Sequence, residues 1–215
     1  MYVPAHFAVA DIDVLRDAID MAGPANLVTV NRTPDGHRTI ESSVVPLLLD
    51  RASNRLIGHL ARANHQWRDL DHAVEAVAIF SGPNAYVSPS FYPSKRETGR
   101  VVPTWNYEVI HAVGPLVVHD DVDWVVDLVT RLTDRHEGGR ELPWSVTDTP
   151  PGYIESTARG IVGIELQISR FEGKHKLSQN RSAADIDGTI AGLAGGTPDE
   201  RAVAAAMQRV RPSAD

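Results

Sequence analysis

Apolar and polar positions alternate with two distinct periods along this chain, and each change of period marks a new element. Ile12, Leu15 and Ile19 recur at helical spacing after Asp11, a side chain suited to capping, so a helix is expected up to Gly23-Pro24. The period then drops to two. Asn26 to Asn31 and Arg38 to Leu49 read as strands around the turn Thr33-Pro34-Asp35-Gly36. A further strand follows the turn at Asp50-Arg51-Ala52-Ser53-Asn54 and runs from Arg55 to Arg62. Ala63 to Leu70 reads as a turn or one helical winding. Val74 to Phe80 and Asn84 to Ser88 read as short strands separated by Ser81-Gly82-Pro83, and Val101 to Val118 as one long or two short strands.

Helical spacing returns between Asp120 and His136, where Val122, Val125, Val126, Leu128, Val129 and Leu132 form a broad apolar face. Pro150-Pro151-Gly152-Tyr153 opens a short helix to Ala158, and Gly160 to Phe171 alternates as a strand. A helix over Ala183 to Ala194 is followed by Thr197-Pro198-Asp199-Glu200: a capping residue, proline at the first position, glutamate at the third. That start opens an Ala-rich helix to Val210. Meandering strands with peripheral helices predict an α+β fold with a mostly antiparallel small β-barrel. A doubly wound sheet would need strands and helices in regular alternation.

Composition narrows the class. The chain has 215 residues, 42% hydrophobic and 23% charged, as in an ordinary globular protein of one large domain or a core with an appendage. It has no cysteine, which excludes disulfides, thiolate catalysis and Cys-ligated metal sites. No apolar stretch approaches the roughly 20 residues that span a bilayer, and Met1-Tyr2-Val3-Pro4-Ala5-His6-Phe7 lacks the features of a signal peptide. The expected location is cytoplasmic, with no membrane partner. A net charge of −7 argues against general affinity for polyanions but permits a local basic patch.

Three segments carry candidate chemistry. In Leu56 to Asn64, period two puts Arg62 and Asn64 on one side and His59 on the other; a loosened strand end would let all three converge on a phosphate. The same segment also reads as a solvent-facing arginine, an edge histidine and a turn asparagine. Val102-Pro103-Thr104-Trp105-Asn106-Tyr107 puts Thr104 and Asn106 on one face and two rings on the other, either a ligand wall or core aromatics. Lys174, Lys176 and Arg181, with Ser178, Gln179 and Asn180, gather positive charge in an acidic chain at the end of the last strand, as an anion site or a solvated loop. The nine histidines form no metal-binding pair, and no nucleophile elbow, dinucleotide fingerprint or P-loop occurs. The C-terminal helices suit DNA poorly, because Asp199 and Glu200 stand where a reading helix meets the duplex.

Together, His59-x-Ala61-Arg62-x-Asn64-x-x-Trp67, Phe80-x-Gly82-x-x-Ala85-Tyr86-Val87-Ser88-Pro89-x-x-Tyr92, Val102 to Tyr107 and Lys176-Leu177-Ser178-Gln179-Asn180-Arg181 closely resemble the PaiB-like family of FMN-binding negative transcriptional regulators. Met1-Tyr2-Val3-Pro4-x-His6-Phe7 matches that family's opening, so the resemblance runs from residue 1 to about residue 195; His65 departs from it, where proline is expected. The resemblance implies a six-stranded-type split barrel over 1–181, a C-terminal helical extension over 182–215, and a homodimer with FMN at the subunit interface. It further implies that His59, Arg62 and Asn64 hold the phosphate, that Ser43 and the backbone of Val44 to Leu47 line the flavin ring, and that Thr104, Trp105 and Asn106 close the pocket. Lys176, Ser178, Gln179 and Arg181 would reach in, from this chain or its partner. The implied function is negative regulation of transcription, through DNA or a regulatory protein. A flavin-dependent oxidoreductase (an NAD(P)H:flavin reductase or a small-substrate oxidase) is the alternative, and a cofactor-free binding module the third reading.

Overall fold

The computed structural model describes residues 1–211. Its elements, in order, are β1 (Ala8–Val9), α1 (Ile12–Met21), β2 (Ala25–Arg32), β3 (Arg38–Val45), β4 (Leu47–Asp50), β5 (Arg55–Ala61), β6 (Ala76–Val87), α2 (Ser94–Thr98) and β7 (Thr104–Gly114). There follow β8 (Leu116–His119), α3 (Val122–Glu137), α4 (Tyr153–Ala158), β9 (Ile161–Gln167), β10 (Arg170–Lys176), α5 (Ala183–Ala194) and α6 (Pro198–Val210). The chain forms two compact units. One comprises Met1–Ala18, Ser81–Ile110 and the chain from Glu172 onward; the other comprises Ile19–Phe80 and His111–Phe171. Among the described residues, no helix is long and apolar enough to cross a membrane.

In the unit of residues 19–80 and 111–171, β2 pairs antiparallel with β3 and, on its other side, with the first half of β6. A turn with Gly36 at φ +85° joins β2 to β3, a conformation glycine adopts without a Cβ penalty. A four-stranded sheet runs β4-β5-β9-β8, all antiparallel, and places His59 opposite Gly163 and Gly163 opposite His119. Helix α3 lies against this sheet with Val125 and Leu128 buried, and Asp121 caps it by accepting from Trp124 N at 2.8 Å. Leu27, Leu56, Leu128, Ile164 and Leu166 are among the large side chains sealed in this unit.

In the other unit the strand order is β1-β10-β7-β6, with Ala8 opposite Lys174 and Val9 opposite Gly173. A Cβ on Gly173 would lie 2.2 Å from Leu15 Cδ2, so the absent side chain is what lets α1 settle there. Residues 182–215, expected as a helical extension, supply α5 and α6 up to the last described residue. Ile186, Leu193, Val203 and Met207 pack into one core with Ala85 and Leu177. The α6 start is the capping box read from Thr197 and Glu200.

The fold is α+β and its strand pairs are antiparallel, as expected. Three boundaries differ. Ser81-Gly82-Pro83 does not separate two strands; it lies inside the twelve-residue β6. The neighbouring β7 passes so close that a Cβ on Gly82 would stand 3.0 Å from Glu108 Cβ, so glycine here admits a neighbour rather than making a turn. Pro46 breaks the strand predicted over Arg38 to Leu49 in two, for want of a backbone N–H, whereas the division of Val101 to Val118 into two strands at Pro115 is one of the two forms expected. Lys174 and Lys176 belong to β10, not to a loop, and the alternation of half-buried lysines with buried Gly173, His175 and Leu177 shows it.

Candidate functional site

The residues named for the site fall into two groups, one in each unit. In the unit of residues 19–80 and 111–171, β5 ends at Ala61 and the chain turns back through Asn64 N, which donates to Ala61 O at 2.8 Å. Asn64 then caps a short 3₁₀ turn, His65–Trp67: its side-chain oxygen accepts from Gln66 N at 2.9 Å. That fixes the amide so that Nδ2 donates to Ser43 Oγ on β3, also at 2.9 Å. Asn64 and Ser43 are therefore brought together, with both side chains partly exposed.

Arg62 goes elsewhere. Its guanidinium meets Asp120 with both Nη atoms and donates through Nε to Arg159 O at 2.7 Å and through Nη2 to Ile161 O at 3.3 Å. Asp120 raises the guanidinium's pKa further, and Arg62 in turn lowers that of the Asp120 carboxyl. A bidentate carboxylate already fills the fork that a phosphate would use. His59 is half-buried opposite Gly163, and burial pushes its pKa below the usual imidazole value, leaving a neutral ring. The convergence of His59, Arg62 and Asn64 is not what the chain builds here: Asn64 turns to Ser43, and Arg62 to the segment before α3.

Sequence reasoning missed Gln66, only 2% exposed. Its Nε2 donates to Leu27 O at 2.9 Å and Thr29 Oγ1 at 3.1 Å, and its backbone carbonyl accepts from Asn31 Nδ2 at 2.7 Å. One side chain thus ties the Asn64 turn to the middle of β2. The readable signal was a glutamine two residues after a capping asparagine.

In the other unit, Lys176 Nζ donates to Thr104 Oγ1 at 2.6 Å and to the Trp105 carbonyl, and stands 5.9 Å from the Tyr107 ring centroid. Lys174 Nζ is 5.4 Å from the same ring. Desolvation, with Lys174 and Arg181 nearby, lowers the Lys176 pKa. Trp105 is half-exposed and meets Tyr86 edge to face at 6.0 Å. Arg181 lies over the Tyr92 ring at 4.9 Å.

Beneath these, Asn106 is fully buried. Its Nδ2 donates to Ser178 Oγ at 3.0 Å and to Met207 Sδ at 3.3 Å, and its Oδ1 accepts from Ser178 Oγ at 3.2 Å. This lock holds Ser178 at φ +68°, a conformation that costs a non-glycine residue of order 1–3 kcal/mol unless its surroundings impose it. Gln179 is engaged as well: Oε1 accepts from Leu177 N at 2.8 Å and Nε2 donates to His175 O at 2.6 Å, which closes the end of β10. Thr104, Trp105, Lys176 and Arg181 are the groups left facing outward; Asn106, Ser178 and Gln179 hold them.

A family model described as "Putative FMN-binding domain" matches residues 1–170. An uncharacterized protein of Emericella nidulans is 31% identical over 90% of this chain and 90% of its own length. The protease synthase and sporulation protein PAI 2 of Bacillus subtilis is 29% identical over 88% of this chain and 87% of its own. Among solved structures, a conserved hypothetical protein from Mycobacterium tuberculosis superposes with a TM-score of 0.56 at 10% identity, covering 84% of this chain and 92% of that one. The FAD and heme binding protein from Mycobacterium smegmatis gives 0.54 at 18% identity, covering 88% and 80%. These likenesses show the fold, a split barrel.

Proposed function

The chain belongs to the FMN-binding domain family, and on that premise we propose that it is a cytoplasmic, homodimeric, PaiB-like negative regulator of transcription that carries FMN. FMN asks a protein for cations toward its phosphate or reduced ring, polar groups at the ring edge and flat apolar surface beside it. The residues present fit those demands.

The observation that carries the reading is the Lys176 amine, presented by Thr104 Oγ1 and the Trp105 carbonyl and, among the described residues, paired with no carboxylate. In a chain of net charge −7, a cation left without an acid is available to an anionic ligand. Lys176 and Arg181 bind the negative part of FMN, and Trp105 offers it an aromatic face. In the other unit, taken by itself, Ser43 and Asn64 offer a ligand a hydroxyl and an amide, and His59 a neutral imidazole. Arg62, Asn106, Ser178 and Gln179 position other groups instead of touching the cofactor. Bound FMN supplies reversible electron transfer, and a cation at the polar edge of its ring favours the reduced anion.

The regulatory half of the proposal runs through a protein partner. Asp199 and Glu200 at the start of α6 would repel phosphates, which disfavours direct operator contact. A visible absorption spectrum, taken before and after adding FMN and desalting, tests the cofactor half. Retained stoichiometric flavin is expected, and a colourless protein that takes up none overturns it. Gel mobility with promoter fragments over a salt series tests the other half; salt-sensitive, specific retardation by the protein alone would replace the partner by DNA.

A further inference from the structure

Helix α6 reaches both strands that present the outward cations. Met207 is fully buried, and its sulfur accepts from Asn106 Nδ2 on β7 at 3.3 Å. Two residues on, Arg209 Nη2 stands 3.5 Å from Glu108 Oε1, and the same oxygen is 3.4 Å from Nδ1 of His175 on β10. Asn106 and Glu108 follow Thr104 and Trp105 along β7, and His175 directly precedes Lys176. The helix therefore braces the positions next to the Lys176 amine and its two acceptors.

The backbone between the two cations depends on that brace. Among the described residues, only Asn54 and Ser178 have positive φ without being glycine. Asparagine tolerates that region, but serine stays there only where its surroundings impose it. What imposes it is the Asn106 amide, bonded to the Ser178 hydroxyl and held from the other side by Met207. The Ser178 carbonyl accepts from Arg181 N at 3.0 Å, so the left-handed residue shapes the turn that leads to Arg181. Arg181 ends near enough for its charge to act on the Lys176 amine.

We propose that the seating of α6 governs the anion site, with Met207 and Ser178 as positioning residues. When α6 is seated, Ser178 keeps its turn and Lys176 and Arg181 bear on one anion. When α6 lifts, the lock on Ser178 opens, the turn relaxes and the two cations part. The inference rests on reading Lys176 and Arg181 as the groups that bind the anion. Linkage makes the effect reciprocal: an anion that prefers the seated form stabilises α6 by the factor by which seating raises its affinity. A partner that grips α5 and α6 would then change ligand affinity without touching the site.

The test uses the full chain with two probes, FMN and inorganic phosphate. Protection of Lys176 from acetylation, with exposed Lys95 as the internal standard, reports occupancy of the site. Amide hydrogen exchange in α6 peptides is then expected to slow about fivefold or more at saturation, the low end of ordinary coupling. Ser178→Gly and Ser178→Ala both lose the hydroxyl, but glycine alone takes the left-handed turn freely. Affinity should fall in the order native, glycine, alanine, and the response of α6 should be lost in the alanine variant. A hydroxyl that only stabilises the fold would leave the two variants equal. Protection by phosphate with a slowed α6, but none by FMN, removes the flavin and keeps this inference. An occupied site that leaves α6 exchange unchanged, equal affinities in the two variants, or no protection of Lys176 by either probe overturns it.

Discussion

Asp120 grips Arg62 with both carboxylate oxygens, Oδ2 at 3.1 Å from Nη1 and Oδ1 at 2.5 Å from Nη2. Two backbone carbonyls, of Arg159 and Ile161, take further N–H bonds from the same guanidinium. Arg62 therefore pins the end of β5 to the start of β9 and to the residue before the α3 cap. A side chain so engaged has little left for a ligand. Arg62→Ala is expected to lower Tm by about 2–4 °C and to change FMN affinity by less than about threefold. Lys176→Ala should weaken FMN about tenfold or more, the loss of a charge-assisted bond. Calorimetry and fluorescence titration of the two variants read the contrast.

The same pair sets a pH dependence. Arg62 lowers the Asp120 pKa in the folded state. A depressed carboxyl contributes stability above its unfolded value, about 3.9, and loses it as pH falls through the folded value. Tm of the native chain should exceed that of Asp120→Asn at neutral pH. The gap should close below about pH 4; a gap that persists in acid would remove the ion pair as its cause.

Gln66→Leu keeps the size of the side chain but leaves Leu27 O and Thr29 Oγ1 without their buried donor. A loss of about 1–3 kcal/mol is expected in urea unfolding. Because the Gln66 side chain ties the Asn64 turn to β2, Gln66→Glu and Gln66→Leu should both disturb any ligand that uses Ser43 and Asn64.

Gly163 is fixed by contact. A Cβ there would lie 2.1 Å from Trp124 Cζ3, and Trp124 is stacked on His119 with centroids 4.0 Å apart and planes 8° from parallel. The ring cannot tilt away without leaving His119. Gly163→Ala should cost at least about 1–3 kcal/mol by overpacking and shift the tryptophan emission. An unchanged Tm would mean that α3 is free to move.

Residue type makes the candidate site legible, and contacts are what it leaves out. Lys176, Thr104 and Trp105 read as ligand groups because cations, hydroxyls and rings gather in short stretches, and the fold brings the three together. Arg62 and Asn106 read the same way, and both have internal partners in the fold. Nothing near Arg62 in sequence announces Asp120, which lies 58 residues away. Nothing near Asn106 announces Met207, 101 residues on.

What the sequence determined by itself is whatever depends on neighbours within a few residues. The α6 start at Thr197, the α3 stripe and the Gly36 turn are of that kind, because capping, periodicity and backbone freedom act within one or two turns of chain. Tertiary structure decided whether a polar group faces a ligand or another part of the protein. Gly82 reads as a break until Glu108 on the next strand needs its space, and Arg62 reads as a phosphate ligand until Asp120 takes its fork. A hydrogen bond is satisfied by whichever partner the fold delivers, and that partner is set by distance in space, which local spacing does not encode.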